Sequence, residues 1–155
     1  MLAVGDAAPE FEARDCQGRP VRLGDFRGRR VVLFFFPKAF TAGCTEEIRH
    51  FRDNQARIRS LGGELVGVSV DKPDVQCEFA RSEQVEYPLL GDSDRKISEK
   101  FGVLWPLVRI NRRVTFLISP DGQVEEVIQH ERQVWRHLDD VIAALERRVA
   151  AAAQA

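Results

Sequence analysis

The chain has 155 residues, room for one domain (1–155) and too few for two ordinary ones. Its 44% hydrophobic and 30% charged residues exclude a disordered chain and suit a folded one that carries its own core. Lysine and arginine number 23 and aspartate and glutamate 24, a net charge of −1 that argues against a nucleic-acid or anionic-membrane partner.

The N-terminal stretch from Met1 to Pro9 has no basic segment and no long apolar one, so no export signal is expected. Phe11, Ala13, Val21 and Leu23 flank a Gln17-Gly18 turn in period two, which predicts a β-hairpin. Residues 23–28 read as a helical turn or loop. Arg30 to Phe36 is a continuous apolar run, the pattern of a buried central strand, and Pro37 ends it. Val31 to Phe36 is also the longest unbroken apolar run, far short of the ~20 residues of a membrane span. Lys38 to Gly43 reads as a loop.

From Cys44 to Leu61 the apolar residues Ile48, Phe51, Ile58 and Leu61 share one helical face, and Gly62-Gly63 stop the helix. Glu64 to Val70 is the next strand. Asp71 to Pro73 open a helix that runs to about Ser82. Tyr87 to Leu90 reads as a short strand, and Asp92 or Asp94 caps a helix to Phe101. Val114–Ile118 and Gln123–Gln129 are strands joined by the turn Ser119-Pro120-Asp121-Gly122. Glu131 to about Ala150 is a last amphipathic helix with Val134, Trp135, Leu138, Ile142 and Leu145 inward, and the alanine-rich tail 149–155 is its frayed end. Strands alternating with helices and closed by a hairpin and a helix predict an α/β sandwich around a central mixed sheet.

Three cysteines, Cys16, Cys44 and Cys77, are too few and too scattered for a disulfide scaffold or a zinc site. They read as reduced thiols of a cytoplasmic protein. Cys44 sits where a buried strand passes into a helix, at the end of a strand where open α/β sheets bind ligands. The unpaired N–H groups and dipole of a helix start favour an anion there, and a thiolate is one. The bland alternative is a buried inert cysteine.

Pro37, Thr41 and Cys44 form Pro-x-x-x-Thr-x-x-Cys, which resembles the active-site signature of the peroxiredoxins. The stretch 26–38 and Cys44-Thr45-Glu46-Glu47 resemble the peroxiredoxin Q group, also called bacterioferritin comigratory proteins. Ala39-Phe40-Thr41 and the segment 101–116 resemble the one-cysteine alkyl hydroperoxide reductase E group. The resemblance runs from about Gly5 to about Leu145.

It implies a thioredoxin-like fold and a thiol peroxidase with no metal or organic cofactor. Hydrogen peroxide and organic hydroperoxides would be its substrates. Thioredoxin or a similar dithiol protein would be the electron donor, and the chain would be a monomer or homodimer. Cys44 would attack the peroxide and become a sulfenic acid. Thr41 would hydrogen-bond to the Cys44 sulfur and the peroxide, and Pro37 would shield the pocket.

Arg113, at the start of its strand, would stabilise the thiolate and the peroxide oxygens. It shares a face with Thr115, whereas Arg112 points the other way and, with Arg109, reads as a solvated charge. Glu47 either orients an arginine or is an exposed first-turn carboxylate. Many peroxiredoxin Q proteins carry a resolving cysteine five residues after the reactive one, where this chain has Arg49; others carry it in the helix after the next strand, and there the resemblance makes Cys77, about one turn early, the candidate. The alternative is a one-cysteine enzyme reduced from outside. Cys16, beside the hairpin turn, reads as an exposed bystander. Trp105 and Pro106 would line the pocket or a dimer contact. The three histidines show no ligand spacing, and His50 reads as solvated.

Two other classes fit the same fold. A thiol–disulfide oxidoreductase normally has C-x-x-C, and Thr45, Glu46 and Glu47 supply no second cysteine. A redox-sensing module would oxidise at Cys44 and turn over slowly.

Overall fold

In the computed structural model, which describes residues 1–154, the chain opens with a hairpin of Glu12–Arg14 (β1) and Pro20–Arg22 (β2). The two strands pair only with each other. Asp15 organises the hairpin tip, where its carboxylate accepts from the backbone N–H groups of Gln17 and Arg19, each at 2.9 Å. A 3₁₀ turn, Leu23–Phe26, leads into Arg30–Phe35 (β3).

The apolar run puts β3 in the middle of a five-stranded sheet. Gly63–Ser69 (β4) pairs parallel to it, and Leu89–Gly91 (β5) pairs parallel to β4. On its other side Val114–Ile118 (β6) and Val124–Gln129 (β7) are antiparallel. The sheet is mixed, as expected, and the fold is thioredoxin-like. The shortest strand of this sheet, β5, starts two residues later than the sequence pattern predicts. Tyr87 instead packs into the core and donates its hydroxyl to the Ile48 carbonyl at 3.0 Å.

The helices are Ala42–Asp53 (α1), Gln55–Ser60 (α2), Pro73–Ser82 (α3), Lys96–Phe101 (α4) and Trp135–Ala153 (α5). Residues 42–61 do not form one helix from Cys44. The helix starts at Ala42, so Ala42 and Gly43 belong to it and not to the preceding loop. It breaks at Asn54, whose side-chain amide donates to the His50 carbonyl at 2.8 Å and competes with the backbone ladder. Asp92 caps α4 by accepting from the N–H groups of Ile97 and Ser98 at 3.2 and 2.8 Å.

The last helix begins at Trp135, four residues after the expected start. Its inward stripe, together with the preceding Val134, is Val134, His137, Val141, Ala144 and Leu145. Trp135 is off that stripe and 50% exposed, contrary to expectation. Ala155 lies outside the described residues. Among the described residues no helix is long and apolar enough to cross a membrane.

Two apolar layers cover the sheet. Phe34, Phe36, Leu117 and Ile128 pack with Cys44, Ile48 and Phe51 of α1 and Val141, Ala144 and Leu145 of α5. Leu33, Phe35, Val114 and Phe116 face the opposite layer with Phe101 and Val103. Period-two alternation therefore sends Arg113 and Thr115 toward α1 and α5. The edge strand β7, whose start is covered by residues 5–8, carries Glu125, paired with Arg30 and Arg148, and Glu126, paired with Arg147 and Arg148. Charges of this kind keep an open sheet edge from pairing with another chain.

Candidate active site

Pro37 follows the end of β3 and starts a short loop. The loop is tied to the end of β4, where the Asp71 carboxylate accepts from Ala39 N–H at 2.8 Å and from the Ser69 hydroxyl at 2.6 Å. Phe40 then takes φ +65°, a left-handed conformation unusual for a bulky residue, and turns the chain into α1. Thr41 is the N-cap position. Its backbone carbonyl accepts the first helical bond, from Thr45 N–H at 2.9 Å. Cys44 is thus the third residue of α1, among N–H groups with no helical partner.

Cys44 is a free cysteine and 1% exposed. Arg113, at the entry to β6, reaches it from the sheet and donates from Nη2 to the sulfur at 3.5 Å. Its Nη1 donates to Glu47 Oε1 at 2.9 Å, one helical turn beyond Cys44. Arg113 Nε donates to the Glu131 carbonyl at 3.3 Å, and its backbone N–H donates to the Glu131 carboxylate at 3.1 and 3.2 Å. The guanidinium is therefore held on three sides with one corner on sulfur. Gly43 permits this approach, since a Cβ there would lie 3.3 Å from Nη2. Burial pulls the Arg113 pKa down, but Glu47 and Cys44 outweigh it and hold the group above its ordinary value.

Glu47 is not an exposed first-turn carboxylate. It is 1% exposed and faces Arg113. Burial pushes its carboxyl up to about 7, against the pull of the Arg113 guanidinium. Its second oxygen, Oε2, has no hydrogen-bond partner and lies 3.7 Å from His137 Nδ1.

His137 is fully buried, and burial pushes it down to about 4, so it is neutral at pH 7. Its Nε2 lies 2.9 Å from the His130 carbonyl, which can only accept, so Nε2 carries the proton. Nδ1 is then an acceptor and takes the Thr115 hydroxyl at 2.8 Å. Behind the thiol and Arg113 lies a second layer, Glu47, His137 and Thr115. Ligand spacing among the histidines does not mark His137. Its place three residues after Val134 and four before Val141, on the inward stripe of α5, was the available signal.

Among the remaining residues, Thr41, Arg112 and His50 depart from expectation and Arg109 agrees with it. The Thr41 hydroxyl donates to the Lys38 carbonyl at 2.7 Å and makes no bond to the Cys44 sulfur. Pro37 is half-buried at the mouth of the loop. Arg109 is exposed and pairs with Glu99. Arg112 is not a free charge, because its guanidinium lies 3.9 Å over the Trp105 ring. His50 is half-buried, not solvated.

The largest correction concerns the other two thiols. Cys77, in α3, is bonded to Cys16 at the hairpin tip, with Cα atoms 5.5 Å apart and 61 residues between them in sequence. Cys16 is exposed as expected but is not a free thiol, and the three cysteines do not all stand reduced. The pairing is tertiary: it depends on the hairpin packing beside α3.

Residues 4–127 match the model of the AhpC/TSA family. Peroxiredoxin Bcp of Escherichia coli strain K12 is 39% identical over 132 residues, covering 81% of this chain and 85% of that protein. The crystal structure of peroxidoxin BcpB from Mycobacterium tuberculosis superposes with a TM-score of 0.88 at 36% identity, over 95% of this chain and 98% of that one. The bacterioferritin comigratory protein of Xanthomonas campestris, solved as trapped intermediate and ligand complexes to explain its alkyl peroxide reduction, superposes at 0.83. It is 28% identical over 92% of this chain and 99% of its own.

Proposed function

The chain belongs to the AhpC/TSA family, in its peroxiredoxin Bcp branch, and from that premise we propose that it is a thiol peroxidase whose Cys44 reduces hydroperoxides. The observation that carries this reading is the Arg113 guanidinium on the Cys44 sulfur at the first turn of α1. A cation and a set of unpaired N–H groups converge on one buried sulfur, which aims stabilising charge at the place where the O–O bond breaks.

The Cys44 thiolate attacks one oxygen of the O–O bond in line. That oxygen stays on sulfur as a sulfenic acid, and the other leaves with a proton as water or an alcohol. Arg113 faces the charge that develops on the oxygens, and Glu47 and Glu131 fix its direction. The Thr41 proton is committed to Lys38, so its hydroxyl lone pairs remain to accept the peroxide O–H. Pro37 walls the approach. These steps use no metal or organic cofactor.

Hydrogen peroxide and organic hydroperoxides are the substrates, and the alkyl peroxide reduction named for the Xanthomonas relative supports the second class. Thioredoxin or another small dithiol protein returns the electrons. The chain works in the cytoplasm as one domain, a monomer or homodimer, where such donors are kept reduced.

Peroxide loss and oxidation of a donor dithiol, measured with wild type and Cys44→Ser, test the reading. Both should vanish in the variant, and undiminished turnover would refute it.

A further inference from the structure

The Cys16–Cys77 bond lies outside the Cys44 site and has no part in the chemistry above. Cys77 is half-buried midway along α3, and Cys16 is exposed at the hairpin tip. A surface cleft of about 450 Å³ opens beside the bond, lined by both cysteines together with Arg19, Arg81, Tyr87 and Pro88. An incoming thiolate can reach the Cys16 sulfur from solvent.

The same helix also borders the Cys44 loop. The ring of Phe79, two residues after Cys77, lies 5.0 Å from Phe40 and 6.2 Å from Phe36. The facing segments are weakly secured. Thr41 makes no side-chain cap bond at the start of α1, Gly43 lowers its helical propensity, and Phe40 holds a positive φ. The N-cap of α3, Lys72, makes no side-chain cap bond either. A bond between the Cys44 and Cys77 thiols requires local opening of the first turn of α1 and of α3.

We propose that Cys16 and Cys77 form a second redox centre, which receives the oxidising equivalent from Cys44 and delivers it to an external dithiol. This rests on the peroxidase reading of Cys44. In the fully reduced protein, the Cys44 sulfenic acid condenses with the Cys77 thiol, giving a Cys44–Cys77 disulfide and water. The Cys16 thiolate then attacks the Cys77 sulfur and displaces the Cys44 thiolate. In sum, one hydroperoxide and the thiols of Cys16 and Cys77 give one alcohol, one water and the Cys16–Cys77 disulfide. Two electrons pass from that sulfur pair to the O–O bond, and Cys44 ends as it began.

Exchange runs toward Cys16 because of geometry. The Cys16–Cys77 bond fits the folded backbone, with Cα atoms 5.5 Å apart. A Cys44–Cys77 bond holds two helices open, and its release lets α1 close and restores the Arg113 contact. The result is the arrangement seen here, a paired Cys16 and Cys77 with Cys44 free. A dithiol entering the cleft attacks the exposed Cys16 sulfur, restores both thiols and leaves as a disulfide.

The test treats fully reduced protein with one equivalent of hydrogen peroxide, follows peroxide loss, and maps the cysteines after alkylation and dimedone labelling. Wild type should show a Cys16–Cys77 disulfide with Cys44 alkylated. Cys16→Ser should stop at a Cys44–Cys77 disulfide. Cys77→Ser should carry a dimedone-labelled Cys44 with Cys16 alkylated, and Cys44→Ser should form no disulfide on the turnover timescale. Peroxide loss with labelled Cys44 and both other thiols alkylated in wild type would overturn the relay and leave the peroxidase reading intact. So would a Cys16–Cys77 disulfide formed in Cys44→Ser at the wild-type rate. Absence of any peroxide loss in wild type would overturn both.

Discussion

Cys44 and the Cys16–Cys77 pair place sulfur in opposite settings. Cys44 is buried, alone, and surrounded by ionisable groups held in fixed directions. The pair is bonded, opens onto solvent and borders a cleft. The difference separates two demands. A sulfur that breaks an O–O bond needs prearranged charge in a dry site. A sulfur that exchanges with another protein needs access. One cysteine cannot satisfy both without moving.

Arg113 is where the Cys44 setting is most easily destroyed. Arg113→Met removes the cation from sulfur and leaves Glu47 buried without its partner. Stopped-flow peroxide reduction should slow about 10²–10³-fold. Reduction of the Cys16–Cys77 bond by dithiothreitol should be unaffected. A rate within about threefold of wild type would mean that charge at Cys44 is not the operating principle.

The second layer predicts a pH signature. Glu47 titrates at about 4.5 when unfolded and about 7 when folded, so its contribution to stability is present below pH 4.5 and is lost as pH rises to 7. His137 moves from 6.5 to about 4, so its contribution is present above pH 6.5 and is lost as pH falls to 4. The two slopes oppose each other between pH 4.5 and 6.5. Burial leads both shifts and neither group is among the other's causes, so each can be removed separately.

Relative to wild type, denaturant unfolding of His137→Gln should lose stability with rising pH across that window, and Glu47→Gln should gain it. Each change should be on the order of 3 kcal/mol over its full range. Parallel pH profiles for wild type and both variants would show that these groups do not titrate as described.

The smallest effect is at Gly43. A Cβ there would crowd Arg113 Nη2 at 3.3 Å and Val134 at 3.7 Å. Gly43→Ala should raise thermal stability by up to about 1 kcal/mol through helix propensity. The peroxide rate should fall about threefold as the guanidinium is displaced. A rate equal to wild type would mean that the contact tolerates a methyl group.

Much of this was legible in the sequence because it is local. The apolar run 31–36 places β3, alternation along β6 distinguishes Arg113 from Arg112, and the three-residue spacing puts Glu47 one turn beyond Cys44. What escaped reading depends on longer reach or on a side chain acting on backbone. In α5 the apolar Trp135 lies off the inward stripe and the polar His137 lies on it, so residue polarity misplaces both. The break at Asn54 comes from a side-chain amide that no apolar periodicity encodes. Cys16 and Cys77 meet only because the hairpin packs beside α3, and neither local spacing reveals it.

The bond between them also carries a thermodynamic consequence. A cross-link spanning 61 residues removes loop-closure entropy from the unfolded chain. On a chain-entropy model that is worth about 4 kcal/mol, or on the order of 10 °C in melting temperature at this size. The oxidised protein is then the sturdier form, and the reduced protein the looser one. Folding stability rises with oxidant load, so the molecule is hardest to unfold when peroxide has outrun its supply of reductant. It softens again when electrons return, which is when α1 and α3 have to open.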